Sequence, residues 1–460
     1  MLALSRIADR VLCAVIFGAS MALLRQLKRK QLGAQSHAPV LPLDIRLGLT
    51  KPLGADQKVR WAILGTGRVA HDFVQALKST QGAEVVVVAA RNAERLAAAQ
   101  DFATRHGVER AVGSYAEALA MADVDVVYLA TTHQHRRAQV SAILEAGKHA
   151  VVEKPLALNA RDAQYMVDLA RKRQLFLLEG IWTRFFPTVE RARELLDQIG
   201  PISAVFSDFG FDATDGALSY PTRPKDPSDG DPIWHKSLGG GALLWTGCYP
   251  ITAGLLPFGA TRPSRIRAAG LVDPNTGVEM QASIALDFPN AGAKDDAPPG
   301  SGRPPACGAS VALFCGVDVE TRETTTYVGK RGRVIIEPPA HCPTRLTLEE
   351  KVPGARGECK VTVFEEPLPD LPPSALSAKS PSGELFYYPN SNGFQYEAAA
   401  VQRCIRAGLT ECPQESRDLA EIWPRCLELS LNVHPPAQYT HKEMVSAMRV
   451  ADAVRGQLGI

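Results

Sequence analysis

Val59-Arg60-Trp61-Ala62-Ile63-Leu64-Gly65-Thr66-Gly67-Arg68-Val69-Ala70 reads as a strand, a tight glycine turn and the start of a helix. The run Trp61–Leu64 is apolar, and His71 to Ser79 suits a helix. Gly65 permits the sharp turn. Gly67 has no side chain, so a phosphate can approach the backbone, and Ala70 is small enough for the helix to lie on the strand. The helix N-terminus then offers free N–H groups and a partial positive charge to a pyrophosphate. Gly65, Thr66, Gly67, Arg68 and Val69 are therefore candidate cofactor contacts. A lone string of this kind also occurs in ordinary turns, so its weight depends on the residues downstream of it.

Glu84 to Ala90 is a continuous β-branched and small apolar run, suited to a parallel strand buried on both faces. It ends at Arg91-Asn92. An NAD-selective fold carries an acid here for the ribose hydroxyl. Arg91 can instead pair with a ribose 2′-phosphate, which selects NADP. The bland alternative is a solvated arginine at a strand end. Asn92–His106 and Tyr115–Ala122 read as helices, and Asp125–Ala130 as a third strand with Thr131 to His135 at its C-terminal end. Ala138–Ala146 reads as a helix, His149–Val152 as a fourth strand running into Glu153-Lys154-Pro155, and Leu175–Leu178 as a fifth. Asn159 can cap the helix before it, with Asp162 at the third position. This alternation predicts an α/β fold with a doubly wound parallel sheet of Rossmann type.

The chain has 460 residues, enough for two domains, with 45% hydrophobic and 22% charged residues as in ordinary globular proteins. A formal charge of +2 and the absence of a basic, aromatic-rich patch argue against nucleic acid. The 9 cysteines are scattered with no C-x-x-C pair, which argues against a zinc cluster or disulfide scaffold and for a reducing compartment. A cytoplasmic location is the expectation. Val11 to Leu24 is apolar between basic flanks, but shorter than the ~20 residues of a full span. It reads as a signal-like or membrane-associating segment, an organelle presequence or a disordered extension.

From Ile202 the texture changes. Ile202–Phe209, Ile266–Val272, Glu279–Phe288, Val311–Val319, Thr324–Val328, Val334–Glu337, Arg345–Glu349 and Lys360–Phe364 alternate or run apolar between turns. They predict an α+β second domain around a large antiparallel or mixed sheet open on one face. Thr214–Asp231 and Asn290–Gly308 read as surface insertions, and Phe394–Ala407 and Lys442–Gln457 as helices. The expected organisation is an extension over 1–57, a nucleotide-binding domain over 58–180 and a substrate-binding and dimerisation domain over 181–460.

Taken together, GTGRVA, the AAR strand end, EKP, Glu179-Gly180-Ile181-Trp182-Thr183-Arg184-Phe185-Phe186-Pro187, Gly239-Gly240-Gly241-Ala242-Leu243-Leu244, His341-Cys342-Pro343-Thr344 and Tyr396-Glu397-Ala398 resemble the Gfo/Idh/MocA family over roughly residues 58 to 430. Within it, the resemblance is to the dihydrodiol dehydrogenase and fungal-type D-xylose dehydrogenase subgroup. The resemblance implies a hydride transferase using NADP on a sugar or vicinal diol, with a homodimer formed through the open sheet. It implies catalytic roles for Lys154 and Tyr249. An ammonium beside a phenol stabilises its anion, which a group of pKa ~10 requires to act as a base near neutrality. It places Glu153, Lys154, Thr131 and His135 at the cofactor, and Trp182, Arg184 and Phe186 in the substrate pocket. One departure stands out: Trp245 occupies the position where the family carries an aspartate, so it either shapes the substrate pocket or marks a nucleotide-binding sensor without turnover.

Overall fold

The computed structural model describes residues 58–214, 232–289, 308–355, 357–412 and 439–460. The apolar segment 11–24 and the insertions over 215–231 and 290–307 lie outside the described residues.

The first half alternates strand and helix: β1 (Val59–Leu64), α1 (Arg68–Leu77), β2 (Ala83–Ala89), α2 (Leu96–His106), β3 (Ala111–Val112), α3 (Tyr115–Leu119), β4 (Val126–Leu129), α4 (Arg136–Glu145), β5 (His149–Glu153), α5 (Ala160–Arg173) and β6 (Leu177–Gly180). The six strands form one sheet in the order β3-β2-β1-β4-β5-β6, and every pairing is parallel. The order reverses between β1 and β4, which opens a crevice at the strand C-termini, the usual ligand position in such sheets. β4 is buried along its whole length, as its apolar run requires. Asn159 caps α5 through the Asp162 N–H at 2.9 Å.

The second half opens with α6 (Pro187–Ile199), whose proline at the first helical position leaves no missing hydrogen bond. Then come β7 (Ile202–Gly210), α7 (Ala242–Trp245), α8 (Cys248–Leu255), β8 (Arg265–Val272), β9 (Glu279–Phe288), β10 (Ala309–Gly316), β11 (Thr325–Gly329), β12 (Gly332–Ile336), β13 (Arg345–Lys351) and β14 (Cys359–Glu365). Short helix α9 (Pro373–Leu376) and helices α10 (Phe394–Arg406) and α11 (His441–Leu458) complete it. The eight strands run in the order β14-β13-β12-β11-β7-β10-β9-β8. Only β7 and β10 pair in parallel, so the sheet is mixed. Helices α6, α8 and α11 cover one face. The other carries exposed Phe206, Leu271 and Val361. Among the described residues, no helix is long and apolar enough to cross a membrane.

The chain then returns to its beginning. A strap over residues 372–391 lies along α1, whose polar positions from His71 to Gln75 are all buried. Asp72, with 0% exposure, accepts from the Tyr387 and Tyr388 N–H groups at 2.9 and 3.0 Å and from Ser391 Oγ at 2.6 Å. Gln75 donates to the Ala375 carbonyl at 3.1 Å. His71 Nε2 donates to the Leu385 carbonyl at 3.1 Å, and its Nδ1 accepts from His106 Nε2 at 3.0 Å. Burial drives His106 down to about 2, so the imidazole pair is neutral.

Burial, only partly offset by those three donors, raises the Asp72 carboxyl from 3.8 to about 6. A carboxyl raised in the folded state contributes stability that is complete below its unfolded value and lost as pH rises through the folded one. The unfolding free energy of the wild type should therefore fall by about 3 kcal/mol, relative to Asp72→Asn, between about pH 4 and about pH 7. Parallel denaturant titrations of the two proteins across that range check this. Coincident pH profiles would refute it.

Candidate functional site

The glycine loop sits where β1 meets α1. Gly65 has φ +105°, and a Cβ there would lie 2.5 Å from the Ala130 carbonyl oxygen, so any larger residue would force β1 and β4 apart. A Cβ on Gly67 would meet nothing within 4 Å, so the space above it is open. Gly67 is the N-cap of α1 and supplies no side-chain cap. The first-turn N–H groups are thus left to a ligand, with no acidic residue beside them. An open cradle and a bare helix start fit a dinucleotide pyrophosphate. Arg91 is exposed just beyond the C-terminal end of β2.

The loops after β4 and β5 are tied together by Arg136. This buried guanidinium donates to the Thr131 carbonyl at 2.8 Å and also to the Pro155 carbonyl. Burial lowers it to about 10. The Thr131 hydroxyl donates to Gln139 at 2.6 Å. His135 is exposed on this turn, whereas His133 is buried and donates to the Gly239 carbonyl at 3.2 Å, with its ring 5.4 Å from the Trp245 indole. The histidine that faces the site interior is therefore His133. Burial, with the Arg136 and Lys154 charges, holds it neutral.

Lys154 leaves the end of β5 and reaches across to the second half. Its Nζ donates to the Trp245 carbonyl at 2.7 Å, 5.1 Å from the Tyr249 ring centroid and 6.0 Å from that of Trp245. The glycine run explains this reach. Gly241 has φ +100°, and a Cβ there would fall 2.5 Å from the Glu279 carboxylate. That carboxylate uses the space to accept the Leu243 N–H at 3.0 Å, anchoring the first turn of α7. Trp245 ends α7, and Tyr249 lies in the first turn of α8.

Tyr249 is half-buried and packs at 5.4 Å against the Phe209 ring. Burial pushes its pKa well above the ordinary value, so the phenol holds its proton at neutral pH. His341 borders it at 5.4 Å, stacks on Phe209 at 4.8 Å and is held through Nδ1 by Glu323. The sequence alone assigns no role to His133, Arg136, Phe209, His341 or Glu323. For His341, the HCPT string is the available signal.

Several expected ligand contacts face inward instead. Glu153 has 5% exposure and accepts from the Tyr128 hydroxyl at 2.5 Å and from the Lys154 N–H at 3.2 Å. Arg184 pairs with buried Glu443 at 2.7 Å beneath the Tyr439 ring. Phe186 is fully buried beside Trp182, which stacks on Phe394 at 4.1 Å. The strand-end motifs that carry these three positions point to ligands. In the structure all three pack within the junction, and Arg184 borders a small cavity that Tyr249 also lines.

Residues 59–181 match the model of the oxidoreductase family with NAD-binding Rossmann fold, GFO_IDH_MocA. The trans-1,2-dihydrobenzene-1,2-diol dehydrogenase of Danio rerio is 35% identical over 365 residues, 78% of this chain and 91% of that protein. The Sus scrofa enzyme of the same name is 33% identical over 372 residues, 79% of this chain and 94% of its own. Among solved structures, a levoglucosan dehydrogenase with NADH and levoglucosan has a TM-score of 0.64 at 16% identity, covering 87% of this chain and 97% of its own. A 3-ketoreductase from Actinomadura kijaniata with NADP has a TM-score of 0.60 at 20% identity, covering 87% and 98%. The structures share the fold. The identity to the curated relatives, sustained over most of both chains, makes this protein a member of the Gfo/Idh/MocA oxidoreductase family.

Proposed function

We propose that the chain is an NADP-dependent oxidoreductase acting on a CH–OH carbon of a sugar or vicinal diol, of the D-xylose or trans-dihydrodiol type. The observation that carries this reading is the meeting of Lys154 and Tyr249, with Nζ 5.1 Å from the phenol ring. NADP, when bound, supplies or accepts the hydride. The N–H groups at the start of α1 hold its pyrophosphate, and exposed Arg91 pairs with its 2′-phosphate. Tyr249, kept protonated by burial, gives its proton to the carbonyl oxygen in reduction. In oxidation it takes the hydroxyl proton only after losing its own, a step the nearby ammonium favours. Lys154 stabilises the oxyanion. Trp245 and His133, whose rings lie 5.4 Å apart, together bound the site beside Lys154. Trans-dihydrodiol dehydrogenases among the relatives and a levoglucosan dehydrogenase among the structures support a hydroxylated substrate.

The open sheet face supports a homodimer. Phe206, Ala312 and Phe314 line a shallow apolar depression there, and Phe206 is 53% exposed. Exposed apolar sheet of this kind marks an association surface.

Lys154→Met should retain NADPH binding, read by nucleotide fluorescence, while turnover falls by about 10²-fold or more. Unchanged turnover would remove Lys154 from the chemistry. Arg91→Ala should weaken NADPH by about tenfold or more and leave NADH nearly unchanged; equal losses would argue against the 2′-phosphate contact. Phe206→Asp should shift the full chain from dimer to monomer in light scattering. A wild type that is already monomeric would rule the dimer out.

A further inference from the structure

Two polar side chains approach the Tyr249 ring. One is Lys154, with Nζ 5.1 Å from the ring centroid. The other is His341, whose imidazole meets that ring edge-on at 5.4 Å, stacks on Phe209 at 4.8 Å and lies 6.0 Å from Trp182. A phenyl ring would fill such an aromatic cage as well, so packing does not account for the imidazole.

The groups fixed around His341 do account for it. One oxygen of Glu323 accepts both the main-chain N–H of His341, at 3.1 Å, and its ring Nδ1–H. Glu323 itself sits at φ +60°, a backbone conformation that residues other than glycine rarely adopt. It is pinned there from two sides. Its N–H donates to Asp208 at 2.7 Å, and its carbonyl accepts the Ala340 N–H at 3.2 Å. Asp208 spends its other oxygen on the N–H and hydroxyl of Thr324, both at 3.1 Å. The Thr183 hydroxyl donates to the His341 carbonyl. Backbone and carboxylate are thus held so as to aim one imidazole. A carboxylate only accepts, so Nδ1 carries the ring hydrogen and Nε2 presents a lone pair. Glu323 polarises the ring and strengthens Nε2 as an acceptor. Cys342 Sγ lies 3.3 Å from Nε2, and burial keeps that thiol protonated. A thiol is a weak donor, which an alcohol hydroxyl outcompetes.

We propose that His341 Nε2 accepts a hydrogen bond from the substrate hydroxyl on the carbon next to the reacting one, with Glu323 as the positioning residue that fixes the ring and its tautomer. This rests on the oxidoreductase reading above and deepens it. Lys154 and Tyr249 serve the reacting oxygen, and the His341–Glu323 pair recognises its neighbour. The pair selects compounds with a second, adjacent hydroxyl, which a vicinal diol and an aldose both carry. A C–H in that place forfeits the hydrogen bond inside a cage of aromatic rings, and the deoxy analogue is rejected.

The test uses the full chain with saturating NADPH, where an alcohol carbon finds no hydride acceptor and the probes bind without reacting. Two matched pairs are titrated by calorimetry: trans-cyclohexane-1,2-diol against cyclohexanol, and D-xylose against 2-deoxy-D-xylose. In the wild type, the hydroxylated member of at least one pair should bind about tenfold or more tightly. That preference should disappear in His341→Phe, which keeps a ring stacked on Phe209, while NADPH affinity holds. Glu323→Gln should lower it severalfold, and His341→Gln, which restores an acceptor, should recover part of what the phenylalanine loses. No preference in either wild-type pair, or one that survives His341→Phe, would overturn the proposal. Turnover of the same probes with NADP is followed alongside. Absence of turnover on all four counts against the oxidoreductase reading and leaves the binding comparison to judge His341, whereas turnover with equal kcat/KM within each pair sinks this inference alone.

Discussion

The 2.7 Å hydrogen bond from Lys154 Nζ to the Trp245 carbonyl ties the end of β5 to the end of α7, across the two halves of the chain. Each end is fixed by burial some distance away. On one side, Arg136 locks the loops after β4 and β5, and Glu153 is held by Tyr128. Tyr128 itself stacks on Phe73 of α1 at 3.6 Å. On the other side, the missing Cβ of Gly241 admits the Glu279 carboxylate that anchors α7. A substitution at either anchor would move the lysine or its acceptor without touching the pocket.

Much of the fold was legible because parallel strands buried on both faces leave near-continuous apolar runs. Val126–Leu129 and His149–Glu153 appear in the structure within a residue or so of where their composition puts them. The second sheet was legible as alternation, but its strand order was not. The parallel pairing of β7 with β10 brings together segments about a hundred residues apart, and no local pattern encodes that. Helix α6 is hard to see in the sequence because the aromatic string before it dominates the region. Its buried face, Val189, Ala192, Leu195 and Ile199, carries ordinary helical spacing.

The site was legible in part. Gly65, Gly67 and Lys154 lie where a glycine loop and a strand end must put them, since backbone geometry leaves little choice. Arg184, Phe186 and Glu153 show the limit. Position at a strand end places a residue near a ligand, but the direction of its side chain depends on partners such as Glu443, Trp182 and Tyr128. His341 shows the converse. Its value as a pocket residue comes from Glu323, Phe209 and Tyr249, which approach from three separate elements.

The strap along α1 bears on how the protein is made. His71, Asp72 and Gln75 belong to α1, early in the described chain, yet their partners, Ala375 to Ser391, are synthesised some three hundred residues later. On a ribosome, the nucleotide-binding sheet can therefore assemble early with one helix face still wet, its polar groups bonded to water. Completion waits for the distant segment to emerge and displace that water. Cutting the chain between the halves would leave the polar groups on this face of α1 without the partners that bury them.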